Sequence, residues 1–92
     1  MDKINQYINN KYIKTNNNKD RIKIRDIFNG FKSNITEKEQ KELTFKNFKK
    51  LLYDNPSFKF LIIKISILYL SNYKVKLTPY EEMIKTIKSN ND

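Results

Sequence analysis

Phe58-Lys59-Phe60-Leu61-Ile62-Ile63-Lys64-Ile65-Ser66-Ile67-Leu68-Tyr69-Leu70-Ser71-Asn72-Tyr73-Lys74-Val75-Lys76-Leu77 is the stretch on which the fold of this chain turns. Ile63, Ile65 and Ile67 alternate with Lys64 and Ser66, and Tyr73, Val75 and Leu77 alternate with Lys74 and Lys76. With Ser71-Asn72 as a turn between them, the pattern reads as a β-hairpin. A helix competes for the first half, because Phe58, Leu61, Ile62, Ile65, Leu68 and Tyr69 also fit one helical face begun by Asn55 and Pro56. The concentration of β-branched residues favours strands.

Upstream, Thr44 is suited to cap a helix in which Phe45, Phe48, Leu51 and Leu52 fall on one side and Lys46, Asn47, Lys50 and Tyr53 on the other. Asp54-Asn55-Pro56 ends it, since the residue before a proline is pushed out of helical geometry. Thr36-Glu37-Lys38-Glu39 has the spacing of a capping box, but residues 37–42 are polar on every side, so they form either a solvated helical turn or a loop. A second helix is expected from about Arg25, with Ile27, Phe28 and Phe31 on its apolar face, Asp26 in its first turn and Gly30 tolerated within it. Before it, residues 21–25 alternate basic and apolar side chains as a short half-buried strand. The first helix is expected over residues 3–13, capped by Asp2, with Ile4, Tyr7, Ile8 and Tyr12 on one face. Residues 15–20 carry turn-forming side chains and read as a mobile loop, as do the last residues, 89–92. Thr78-Pro79-Tyr80-Glu81 opens a last helix over residues 79–88, with Met83, Ile84 and Ile87 on one face.

The order helix, strand, helix, helix, hairpin, helix predicts an α+β fold: a small winged helix-turn-helix of three helices and a β-hairpin wing, with an extra C-terminal helix. Ninety-two residues suffice for one such domain, spanning 1–92, and no repeat or linker divides it.

Composition removes many chemistries. The chain has neither cysteine nor histidine, which excludes disulfides, zinc fingers and thiol or imidazole nucleophile-base pairs. Gly30 is the sole glycine, too few for a phosphate-binding glycine loop. Asp26, Glu81 and Glu82 are the acids nearest to a magnesium or acid-base set, but adjacent Glu81 and Glu82 project to different sides of a helix, and Asp26 suits a first helical turn. No enzyme activity, cofactor or metal is expected. The apolar stretch at 58–70 is broken by Lys59, Lys64 and Ser66 and falls short of the roughly 20 residues that span a bilayer. With no signal-peptide pattern at the N-terminus, an intracellular location (cytoplasm, nucleus or viral factory) is expected.

Nineteen basic residues face ten acidic ones, a net charge of +9 and a pI near 9.7, which favours an anionic partner. Asn, Ile and Lys have AT-rich codons, so genome composition accounts for part of this charge. Its placement is more informative. Lys46 and Lys50 on the third long helix suit phosphates or a guanine edge, Asn47 suits paired hydrogen bonds to adenine, and Tyr53 suits a phosphate or sugar, with Lys49 beside them. Lys74 and Lys76 would be backbone contacts on the wing. Lys19, Arg21, Lys23 and Arg25 form the densest cluster and suit an adjacent phosphate run. Each of these residues has a plainer explanation, as a solvated helix face or as a charged edge that prevents aggregation.

The run Ile22-x-x-x-x-Ile27-Phe28-x-x-Phe31-Lys32, then Thr44-x-x-x-Phe48-Lys49-Lys50-x-Leu52, then Tyr73-Lys74-Val75-Lys76-Leu77, resembles the winged-helix domain at the C-terminus of primase-helicases of poxvirus-like and giant DNA viruses. The similarity spans about residues 3–77 and rests mainly on core positions. It implies a DNA-contacting module with Lys46, Asn47 and Lys50 on the recognition helix, and implies neither helicase nor primase activity. Ser33-Asn34 and Asn72 depart from the family pattern and bear on the wing.

The expected function is therefore a weakly sequence-specific, double-stranded DNA-binding module. The alternative is a protein-interaction adaptor or inhibitor of viral type on the same fold, with Tyr69, Tyr73 and Tyr80 as anchors. Either form is compatible with a monomer or with a homodimer through Tyr80, Met83, Ile84 and Ile87 of the C-terminal helix. No membrane partner is expected, because Glu81 and Glu82 flank that helix's apolar face.

Overall fold

Ile4 and Ile8, one helical turn apart, are both buried on the inner face of α1 (Lys3–Lys11). The computed structural model describes residues 3–77, 80, 81, 83 and 84. The helix stops two residues before the expected end. Tyr12 is buried as its spacing demands, but it begins a strand, β1 (Tyr12–Lys14), that pairs antiparallel with β5 (Tyr73–Val75). A remote partner decides this boundary: the Lys76 N–H donates to the Lys11 carbonyl at 3.0 Å, at the point where the helix would otherwise continue.

β2 (Arg21–Lys23) is shorter than the expected strand, and α2 (Ile24–Lys32) starts at once, burying Ile24, Ile27, Phe28 and Phe31. Ile24 serves the core better from a helix than from a strand, because only helical spacing puts it in line with Ile27 and Phe31. Gly30 lies where α2 passes α1. A Cβ there would run into the Tyr7 hydroxyl, so glycine allows the close approach and any larger residue would have to displace the Tyr7 ring.

The polar segment forms α3 (Glu37–Glu42), with both halves of the capping box made: Thr36 Oγ1 accepts the Glu39 N–H, and Glu39 Oε1 accepts the Thr36 N–H, each at 3.2 Å. The Lys3 ammonium, 3.0 Å from Glu39 Oε2, and then Thr36 hold the Glu39 carboxyl below the usual range. α4 (Phe45–Tyr53) is capped by Thr44 Oγ1, which accepts the Asn47 N–H at 3.1 Å, and buries Phe48 and Leu52 completely. Phe28, Phe31, Phe45 and Phe48 form tilted ring pairs 5.3–5.6 Å apart between α2 and α4.

The stretch at 58–77 is neither the rival helix nor the expected hairpin. Residues 54–61 are a series of turns tied to α1. Buried Asn55 donates to Asn5 Oδ1 at 2.6 Å and accepts the Ser57 N–H, while Asn5 donates to Ser57 Oγ. The hairpin is β3 (Ile62–Ile65) and β4 (Ile67–Ser71), and it turns at Ser66, which has φ 65°. Asn72, at φ 64°, is no hairpin turn: it passes the chain from one sheet to the other, so β5 pairs with β1 and not with the hairpin. The three-stranded antiparallel sheet has the order β2-β4-β3, and β1-β5 is a separate ribbon. Helices and antiparallel strands interleave along the chain, giving the expected α+β class.

The loop at 15–20 is closed by hydrogen bonds within itself and to Asn72, including Thr15 N–H to the Asn72 carbonyl at 2.8 Å and Asn72 N–H to the Asp20 carbonyl at 2.7 Å. Tyr80, Glu81, Met83 and Ile84 are helical, and the remainder of the helix expected at 79–88 lies outside the described residues. No helix among the described residues is long and apolar enough to cross a membrane.

Candidate nucleic-acid interface

Phe45, Lys49 and Tyr53 succeed one another at four-residue intervals, so they line a single edge of α4. That edge faces the start of α2 and the end of the β3-β4 hairpin across a groove of about 680 Å³. Lys23, Arg25 and Asp26 contribute from the β2-α2 junction, and Lys64, Ser66, Ile67 and Leu68 from the hairpin. Four cations thus converge from four elements, β2, α2, α4 and β3, with Asp26 as the one acid among the groove's residues.

Phe45 organises two of these cations. The Arg25 guanidinium lies 3.8 Å from its ring centroid and the Lys49 ammonium 5.0 Å from it. Cation-π attraction holds both charges at the groove wall while leaving their outward N–H groups available to an anion. A second guanidinium, Arg21, stands 5.7 Å over Tyr69 on the three-stranded sheet. Another cavity, about 590 Å³ between α1 and α3, contains Lys3, Lys11 and Glu39. Lys3 is already paired with Glu39 there, so that cavity offers an anion much less.

The expected contact residues are divided among several places. Lys23, Arg25, Lys49 and Tyr53 share the groove, whereas Lys46, Asn47 and Lys50 lie exposed on the solvent side of the same helix. Arg21 is adjacent on β2, and Lys19 is exposed in the neighbouring loop. Lys74 and Lys76 are not on the hairpin. Lys74 belongs to β5, opposite Ile13, and Lys76 follows it, because Asn72 diverts the chain before the expected second hairpin strand. The expected basic wing is thereby reduced to Lys64, which sequence reasoning had not singled out. Its position as the lone cation among the hairpin isoleucines was the available signal. Phe45 was also missed as a site residue, because a phenylalanine at helical spacing reads as core.

Of the expected protein-binding anchors, Tyr73 is buried and packs edge-on against Phe58, and burial raises its phenol pKa. Tyr69 is half-buried, and Tyr80 is 66% exposed. No protein-family model, curated protein or solved structure matches this chain.

Proposed function

We propose that this chain is a double-stranded DNA-binding module of the winged-helix type, contacting phosphates through the groove and the major groove through the solvent side of α4. The groove carries the reading: Lys23, Arg25, Lys49 and Lys64, with Phe45 and Tyr53, form a concave cationic surface beside an exposed Lys46-Asn47-Lys50 face. With α3 and the β1-β5 ribbon taken as additions, the remaining order α1, β2, α2, α4, β3, β4 and the strand order β2-β4-β3 support the winged-helix assignment, with α4 as recognition helix and β3-β4 as wing. In this reading α3 is an insertion between the two helices of the helix-turn-helix. Phosphate contacts outnumber base-reading side chains, so sequence preference is weak.

A salt titration of binding to duplex and single-stranded DNA tests the proposal. Duplex affinity should fall with a log-log slope of about −0.9 per neutralised phosphate. The Lys46→Glu/Lys50→Glu chain should bind at least tenfold more weakly, on the order of 1.4 kcal/mol. Absence of binding at low salt would sink the reading. The adaptor alternative draws support from Tyr80 and from Phe60, which is 84% exposed. A stoichiometric protein partner that survives nuclease and high salt would favour it.

A further inference from the structure

Ile65 and Ile67 are paired directly across the ladder on either side of Ser66, so their side chains leave the same face at the extreme end of the hairpin. They are 54% and 45% exposed, whereas Ile63 and Tyr69, one pair further in on that face, are half-buried. Lys64, next to the tip, and Ile67 both line the cationic groove. A stiff, β-branched apolar ridge therefore projects from the edge of the surface that attracts phosphates. The ridge is two residues wide, far from the roughly 800 Å² per partner that a stable protein interface buries. A base step fits it better, because unstacking opens an apolar slot of about this width between flanking phosphates. Apolar wedges of this kind, isoleucine included, enter between base steps and kink the duplex.

We propose that Ile65 and Ile67 are a wedge that enters between stacked base pairs of bound duplex DNA and bends it. The inference rests on the DNA-binding reading and adds to it that the duplex is deformed at the hairpin tip. The side chains make the insertion, Lys64 neutralises a flanking phosphate, and the left-handed turn at Ser66 keeps the tip narrow enough to enter.

The test compares the wild-type chain with Ile65→Ser/Ile67→Ser and with Ile65→Leu/Ile67→Leu on duplexes containing 2-aminopurine. One duplex is fully paired and one has a single mismatch. The wild-type and Leu chains should raise 2-aminopurine fluorescence on binding, and they should prefer the mismatched duplex by about tenfold, because its unstacking is already partly accomplished. The Ser chain should bind with the same salt slope, but without the fluorescence rise and without the preference. Duplex binding by the wild type with no fluorescence rise overturns the wedge and leaves the DNA-binding reading standing. Failure of all three chains to bind at low salt overturns both. Self-association of the wild type that the Ser chain loses, read by sedimentation, assigns the ridge to a contact between copies and overturns the wedge.

Discussion

The Arg25 guanidinium stands 3.8 Å from the centroid of the Phe45 ring, joining the first turn of α2 to the first turn of α4. This pair positions a groove cation and also braces the two helices. A double-mutant cycle with Arg25→Ala and Phe45→Ala, read by urea denaturation, should show a coupling of about 0.5–1 kcal/mol. Arg25→Lys should recover the charge but only part of the coupling, since an ammonium lacks the planar face of the guanidinium.

Two pairs of lysines separate the groove from the ribbon. Lys49→Ala/Lys64→Ala should reduce the salt slope of duplex binding by about 1.8, or about 0.9 for each lost phosphate contact. Lys74→Ala/Lys76→Ala, on and beside β5, should leave the slope unchanged. Equal effects from both pairs would place the DNA elsewhere than the groove.

Gly30→Ala would ordinarily stabilise a helix by up to about 1 kcal/mol. Here the new methyl meets the Tyr7 hydroxyl, on a ring held edge-on by Tyr12 and Phe31. Overpacking prevails, and the expected loss is about 1–3 kcal/mol in chemical denaturation. In a Tyr7→Phe background, where the obstructing oxygen is gone, the same substitution should cost clearly less.

Burial, and then the neighbouring Tyr7, push the Tyr12 phenol up to about 12 from its ordinary value near 10.0. Burial raises Tyr7 in the same direction. Between these limits the folded chain holds a proton that the unfolded chain has released, so stability is complete below about pH 10 and is lost as pH rises toward 12. Urea midpoints measured across that range should fall, and Tyr12→Phe should flatten the fall. An unchanged profile in Tyr12→Phe would assign the alkaline loss to other groups.

Legibility in the sequence followed the range of the forces involved. α4, α2 and the Thr36-Glu39 capping box were readable because their signals lie within one or two turns of the chain. The boundary at Tyr12 was not, since its apolar spacing suits a helix and only pairing with Val75 makes it a strand. The hairpin turn was misplaced for a related reason. Asn enters the left-handed region more readily than Ser, so Asn72 attracted a turn, while Ser66 is held there by the four-residue ladder on either side. In the candidate interface, Lys23, Arg25 and Lys49 were recognisable as basic residues on short elements. Their assembly with Lys64 depended on where the hairpin turned.

Asn72 closes both mouths of the loop at 15–20. Its carbonyl takes the Thr15 N–H, its N–H reaches the Asp20 carbonyl, and its side-chain amide donates to the Thr15 carbonyl. Once its ends are clamped to one residue, a loop can be lengthened in the middle at a closure cost that grows only logarithmically. Asn16 and Asn18, exposed on either side of Asn17, which itself bonds Thr15, Lys19 and Asp20, thus mark the graft points: a peptide tag or reporter spliced there would leave the register of both sheets as it is and emerge near Lys19. The same clamp makes the loop a natural handle for immobilising the protein.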